Sequence, residues 1–158
     1  SNRRCDRRRR RHGPLMSGLS PSEVLRLMPQ KRPTRFIDEI LELDADHITA
    51  KYTWREEDCA GHFPGNPVVP GVKMLEMSAQ TGAVAWELYL TNGRRAAEGL
   101  AGSFSRVEKG SFKKMVRPGD TVLCTARASA EGDGLVEVDV RFSGGTQDGE
   151  SVFTGVIR

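Results

Sequence analysis

The sequence predicts an α+β fold in which one antiparallel sheet wraps around a long buried helix. Residues 71–90 are apolar on almost every side, which is typical of a buried helix and not of one on a surface. The segments on either side are short, alternate between apolar and polar residues and end in glycine-rich turns, as antiparallel strands do. The length of 158 residues suits one domain.

The first sixteen residues differ in composition from the rest of the chain. They hold seven arginines and one acidic residue, whereas residues 17–158 carry 17 basic against 20 acidic residues. A block of like charges repels itself and stays solvated. We therefore predict a disordered Arg-rich tail, or sequence foreign to the domain, over 1–16 and a folded domain over 17–158. Nucleic-acid binding would depend on this segment alone and is not expected.

A short helix and two strands are predicted before the long helix. Residues 20–23, Ser-Pro-Ser-Glu, form a capping box with proline at the first helical position. Pro29 and Pro33 end that helix. Residues 36–43 and 47–54 then alternate as two strands joined by a turn.

The remaining strands are predicted after the long helix. They cover residues 100–108, 111–116, 121–130, 135–142 and 152–157, and glycines at the intervening turns permit positive φ. Lys109-Gly110 is taken as one of these turns. A sheet of about six such strands can wrap the helix. Its edges then require covering or pairing, which favours a dimer formed by edge contact.

Composition excludes several classes of protein. No apolar run reaches the roughly 18 residues of a membrane span, and no apolar stretch follows the N-terminal charges as in a secretory signal. The three cysteines are far apart and the three histidines lack metal-ligand spacing. The sequence therefore predicts neither a disulfide framework nor a metal site, and a cytoplasmic location is expected.

Residues 61–82 contain the candidate chemistry. Three prolines and a glycine between 64 and 70 stiffen the loop that carries His62, and a helix N-terminus follows at Gly71. Unpaired N–H groups there can receive an oxygen that gains negative charge. Glu76 lies among apolar residues, where partial removal from water suits a general acid. A base, an acid and a polarising N–H are what β-elimination beside a thioester requires.

Both side chains also have ordinary explanations. A histidine in a loop of prolines and glycines is usually structural, and a glutamate on an apolar helix can simply pair with a lysine. Residue types alone leave these alternatives open beside the catalytic one.

The stretch from His62 to Glu76 closely resembles the signature of the 3-hydroxyacyl-[acyl-carrier-protein] dehydratases, the FabZ/FabA family with the hot-dog fold. That signature reads His-Phe-Pro-Gly-(Asn/Asp)-Pro-x-x-Pro-Gly, and an acidic residue follows fourteen positions after the histidine, as it does here. Glutamate at 76 together with Asn66 is similar to the FabZ type.

This resemblance implies a role for each matching residue. His62 would be the catalytic base, Glu76 the catalytic acid, and Gly71 the residue whose N–H polarises the thioester. The carbonyl of Val68 would hold the histidine ring, and Gln80 would support the acidic side chain. The implied reaction is dehydration of (3R)-3-hydroxyacyl thioesters on acyl carrier protein to trans-2-enoyl thioesters in fatty acid biosynthesis, without metal or redox cofactor.

The resemblance also implies partners. In the family the histidine and the carboxylate of one site come from different subunits, so a homodimer would be obligatory, and hexamers built as trimers of dimers are common. Acyl carrier protein is strongly acidic and would require a basic rim. Candidates for that rim are Lys109, Lys113, Lys114 and Arg117, although a row of charges also serves to protect a sheet edge.

The chain departs from the family pattern in two places. Asp58-Cys59 stands where aromatic residues usually precede the Gly-His pair and help to shape the acyl channel, and residues 30–32 replace a His-Arg-Tyr segment. These changes leave chain length and substrate identity open. Two other functions remain as alternatives, a hot-dog acyl thioesterase and a non-catalytic acyl-thioester binding protein that uses the same tunnel.

Overall fold

The computed structural model describes residues 18–97 and 106–158. The helices are α1 (Pro21–Leu27), α2 (Gly71–Ala79), α3 (Trp86–Leu90) and α4 (Arg94–Ala97), with a 3₁₀ turn at Glu56–Cys59 and a π-helical segment at Gln80–Ala85. The strands are β1 (Glu39–Leu43), β2 (His47–Thr53), β3 (Val107–Phe112), β4 (Thr121–Ala128), β5 (Val136–Phe142) and β6 (Ser151–Ile157). The tail predicted over 1–16 lies outside the described residues.

Within the described part of the chain, the six strands form one antiparallel sheet in the order β1-β2-β4-β5-β6-β3. The central helix, residues 71–90, packs against one face of this sheet and is largely buried. A Cβ on Gly82 would lie 2.9 Å from Cγ1 of Val136 and 3.1 Å from Cβ of Ala126, so glycine allows the helix to approach β4 and β5 closely. The arrangement is the hot-dog fold and confirms the predicted α+β architecture.

The central helix is not α-helical throughout, contrary to the uniform helix that the sequence predicts. Residues 80–85 take the wider π form. Just before and inside this segment, the hydroxyl of Ser78 donates to the carbonyl of Met74 and that of Thr81 to the carbonyl of Met77, each at 2.9 Å. Such side-chain bonds compete with the helical ladder and can bend or loosen it. π segments inside α-helices are frequent at functional sites, and this one begins at Gln80.

The predicted turn at Lys109-Gly110 is wrong, because β3 runs through both residues. Gly110 pairs with Gly155 of β6, and the ring of Phe153 covers this glycine pair. A Cβ on Gly110 would lie 3.3 Å from that ring, and one on Gly155 only 2.8 Å from it. The two glycines therefore make room for a buried aromatic ring and do not reverse the chain. Residues 100–105 of the predicted strand lie outside the described residues.

The first helix and the first strand differ in how closely they follow prediction. The capping box at the start of α1 is confirmed, since the Glu23 N–H donates to Oγ of Ser20 at 3.2 Å and the Ser20 N–H donates to Oε2 of Glu23 at 2.9 Å. The strand predicted from residue 36 begins only at Glu39, because the Phe36 N–H bonds to the side chain of Gln80. None of the helices described here is long and apolar enough to cross a bilayer.

Candidate active site

The loop between β2 and α2 holds the ring of His62 through its own backbone. Gly61 and Gly65 have φ of +78° and +73°, a region that glycine occupies without steric cost. The Val68 N–H donates to the carbonyl of His62 at 2.8 Å, and the carbonyl of Val68 lies 2.9 Å from Nδ1 of the imidazole. A carbonyl oxygen can only accept, so Nδ1 carries a hydrogen, and in the neutral ring Nε2 then presents its lone pair. The ring is thus prepared to accept a proton at Nε2.

Glu76 is held by Gln80, one turn further along the central helix. The amide nitrogen of Gln80 donates to Oε1 of Glu76 at 3.0 Å and to the carbonyl of Thr34 at 2.7 Å, and its oxygen accepts from the Phe36 N–H at 2.8 Å. Gln80 is fully buried, so these bonds fix its orientation. The structure thereby brings together the two residues that the sequence pairs as acid and support. The nearby amine of Lys73 donates instead to the carbonyl of Asp58 at 2.7 Å.

A cavity of about 310 Å³ opens at the N-terminus of α2. Its wall includes Val68, Gly71 and Met74 on one side and residues 112–116, which begin with the last residue of β3, on the other. A Cβ on Gly71 would lie 3.1 Å from the ring of Phe112, so a larger residue here would push into that ring. The absence of a side chain keeps the backbone at the start of the helix accessible from the cavity.

Neither His62 nor Glu76 is among the described residues that line this cavity. Glu76 comes five residues after Gly71. Because an α-helix has 3.6 residues per turn, Glu76 lies on a different side of the helix from Gly71, and its side chain is near Gln80 and Phe36. The described residues of one chain therefore do not bring base, acid and helix N-terminus together in this cavity.

Large apolar side chains are exposed in the wall of this cavity and at the residues that follow His62 and Gly71 in the chain. Their exposed fractions are 55% for Phe63, 71% for Val72, 55% for Phe112 and 68% for Met115. We call these four residues the exposed apolar patch. It lies beside β3, which is an edge of the sheet. Exposed apolar side chains beside an edge strand indicate an interaction face.

The four candidate rim residues fall in different places. Lys113 and Lys114 line the cavity at Gly71, and Lys114 also pairs with Glu150 at 2.9 Å. Lys109 lies on the opposite face of the sheet and pairs with Glu131 at 2.6 Å.

Arg117, the fourth candidate, contacts the loop of His62 directly. Its guanidinium donates to Oδ1 of Asn66 at 2.8 Å. Arg117 therefore braces the loop as well as adding charge near it, a role that the sequence analysis missed. The signal in the sequence was Asn66 of the motif, whose amide oxygen accepts this bond.

A polar cluster beneath the loop was also missed by the sequence analysis. The carboxylate of Asp58 is buried and accepts from the hydroxyl of Tyr52 at 2.7 Å. Burial, and then this bond to Asp58, raise the pKa of Tyr52 to about 12. The signal in the sequence was an acidic residue where the family has an aromatic one.

Thiol and metal chemistry find no support in the described residues. Burial raises the pKa of the Cys59 thiol, and it raises that of Cys124 to about 12, so both stay protonated and poorly nucleophilic near neutral pH. Over residues 18–97 and 106–158 no three His, Cys, Asp or Glu side chains are grouped as metal ligands.

Comparisons with known proteins agree with the fold and the motif. The sequence profile of the ApeI-like dehydratases matches residues 42–155. A 3-hydroxyacyl-[acyl-carrier-protein] dehydratase FabZ of Oenococcus oeni is 41% identical over 107 residues, which cover 66% of this chain and 73% of that protein.

Solved structures add evidence on the fold alone. The dehydratase heterocomplex ApeI:P from Xenorhabdus doucetiae has a chain that matches with a TM-score of 0.52 at 20% identity, covering 75% of this chain and 94% of that one. Zebra fish thioesterase superfamily member 2 matches with a TM-score of 0.61 at 14% identity, covering 88% and 96%. The fold is thus shared by proteins named for different reactions, and the sequence relationship decides between them. The chain belongs to the FabZ-like family of 3-hydroxyacyl dehydratases, enzymes of the lyase class.

Proposed function

We propose that this chain dehydrates (3R)-3-hydroxyacyl thioesters, carried on acyl carrier protein, to trans-2-enoyl thioesters in fatty acid biosynthesis. The observation that carries the proposal is the pair of fixed side chains: an imidazole with Nδ1 held by Val68 and Nε2 open, and a carboxylate held by Gln80. The relative from Oenococcus oeni is named for this substrate class.

The proposed mechanism uses three groups of the protein. Nε2 of His62 removes a proton from C2, and the electron pair moves toward the thioester carbonyl. The N–H of Gly71 stabilises the oxygen as it gains negative charge. The enolate then re-forms its carbonyl and expels the 3-hydroxyl, which Glu76 protonates, so that water leaves. His62 returns its proton to solvent and Glu76 regains one, which restores the enzyme.

We propose that the site is completed in a homodimer, with a trimer of dimers as a further assembly. Three features support this. His62 and Glu76 are not among the described residues that line the cavity at Gly71, two residues of the exposed apolar patch, Phe112 and Met115, do line it, and β3 is an edge strand of the described sheet. In the related dehydratases the two residues of one site come from two subunits.

The deciding experiment follows enoyl thioester formation by ultraviolet absorbance while a thiol reagent reports hydrolysis. With 3-hydroxyacyl-carrier protein substrates of increasing chain length, we expect enoyl product and no free thiol. Thiol release without enoyl product would identify a thioesterase. Tight binding with neither product would identify a binding protein and end the dehydratase proposal.

We expect Lys113 and Lys114, which line the cavity at Gly71, to bind the acidic carrier protein. Reversing charge with Lys113→Glu and Lys114→Glu should raise KM for carrier-bound substrate about tenfold, since acidic partners are steered by basic rims, while KM for a small thioester analogue stays unchanged. Steady-state kinetics with both substrates measures this. Arg127→Glu, which matches the charge change of each single lysine reversal at an exposed position of β4, is the control. Equal losses on both substrates would contradict docking at these lysines.

A further inference from the structure

Asp58 is a buried carboxylate with a specific set of donors. It is 3% exposed. Its Oδ2 accepts from the hydroxyl of Tyr52 at 2.7 Å and from the N–H of Arg55 at 3.0 Å, and the guanidinium of Arg55 donates in turn to that hydroxyl at 2.8 Å. A buried charge is costly unless it is hydrogen-bonded, so this cluster has one favoured geometry. It therefore fixes the 3₁₀ turn at Glu56–Cys59 against strand β2.

The same turn leads directly into the loop of His62. The last residue of the turn, Cys59, accepts the N–H of His62 through its carbonyl at 2.9 Å. The carbonyl of Asp58 accepts the amine of Lys73 at 2.7 Å, which connects the turn to helix α2. Asp58 thus anchors the backbone on the N-terminal side of His62 in two ways. Its side chain bonds to β2, and its backbone carbonyl bonds to Lys73 of α2.

We propose that Asp58 is a positioning residue for His62, acting through the Tyr52 hydroxyl and the 3₁₀ turn. This inference rests on the proposed function, because it assigns the placement of the proposed base. Val68 holds the ring from the C-terminal side of the loop, and Asp58 fixes the backbone from the other side. A shift of the turn displaces Nε2 relative to the substrate, and displacements of about 1 Å can cost on the order of 10²-fold in rate.

The kinetic test compares variants of the cluster. We expect Asp58→Ala to lower kcat by about 30-fold and Tyr52→Phe by about tenfold, with KM changed less than about threefold, since reacting geometry and not substrate affinity is lost. Asp58→Asn keeps an oxygen acceptor and should retain kcat within about threefold. The double variant should be no slower than Asp58→Ala alone, because both changes break the same contact.

A matched control separates positioning from simple loss of stability. Thr49 is a buried polar residue of β2 whose hydroxyl bonds to that of Thr125 at 3.1 Å, away from the turn. Thr49→Val should lower the melting temperature yet leave kcat unchanged. If Asp58→Ala does not fold, the kcat of Tyr52→Phe is used for the test, because this variant removes only one oxygen atom.

Nitrogen NMR of the His62 ring provides a readout independent of activity, assigned by comparison with His62→Ala. We expect a single Nδ1–H tautomer in the wild type and a mixture in Asp58→Ala and Tyr52→Phe. Unchanged kcat and an unchanged ring tautomer in the folded variants would overturn the positioning role. It would also be overturned if Thr49→Val lowered kcat as much as the Asp58 and Tyr52 variants do. A wild type that forms no enoyl product would defeat the proposed function, and the ring signal would then decide the positioning role alone.

Discussion

We expect His62→Ala and Glu76→Gln each to lower kcat for dehydration by at least about 10²-fold, the contribution usual for general acid–base groups. Removing the imidazole removes the Nε2 atom that would take the C2 proton. The amide of glutamine keeps the shape of Glu76 and its contact with Gln80 but has no proton to give to the departing hydroxyl. Absorbance of the enoyl product at saturating substrate measures both changes.

Two controls accompany these variants. His47, at the start of β2, has its ring bonded to Glu42 at 2.7 Å and to Asp44 at 3.1 Å, and Glu39 is exposed on β1. His47→Ala and Glu39→Gln should keep kcat near the wild-type value. The circular dichroism spectra and the oligomer size of all four variants should match those of the wild type. Near-normal turnover in either His62→Ala or Glu76→Gln would remove that residue from the mechanism.

Local signals in the sequence were sufficient for much of this structure. The capping box at Ser20 depends on neighbouring residues only and is found as predicted. The mostly apolar run of 71–90 predicts the buried helix, and most of its apolar residues do join the core. The spacing of His62 and Glu76 identified the family, which the comparisons confirm.

Features that depend on distant contacts were not predictable. Gly110 looked like a turn residue because its partners, Gly155 and the ring of Phe153, are more than forty positions away. The π segment lies beside hydroxyl groups that bond to helix carbonyls, and whether such a group bonds to a carbonyl or to solvent depends on its burial. Asp58 was identified only as a departure from the family pattern, since a buried carboxylate is recognisable only when its donors are known.

The described residues of one chain do not bring Glu76 to the cavity at Gly71. Glu76 and Gly71 lie on different sides of the central helix, and His62 lies outside the cavity that Gly71 lines. If two chains each supply one reacting group, then the exposed apolar patch is covered on assembly and both sites form at the same interface. This arrangement makes catalysis dependent on association and leads to a test by mixing inactive variants.

We expect activity to return when inactive His62→Ala and Glu76→Gln chains are refolded together. In each mixed dimer one site combines both substitutions and the other combines the wild-type imidazole with the wild-type carboxylate. Random pairing of equal amounts makes half of the dimers mixed, so about a quarter of the wild-type activity per subunit should appear, given the two equivalent sites of a two-fold dimer. Dehydration is measured before and after mixing. The mixed dimer is then isolated with two different affinity tags, and it should have about half the wild-type activity.

The double variant His62→Ala/Glu76→Gln refolded with wild-type chains gives the opposite result under the same arrangement. Every site of such a mixed dimer would contain one altered residue, so the isolated mixed dimer should be inactive. If both residues of a site came from one chain, this mixed dimer would retain about half of the activity, and the two single variants would not restore each other. The pair of mixtures therefore distinguishes a site shared between subunits from two self-contained sites, because the two arrangements predict opposite outcomes in both experiments.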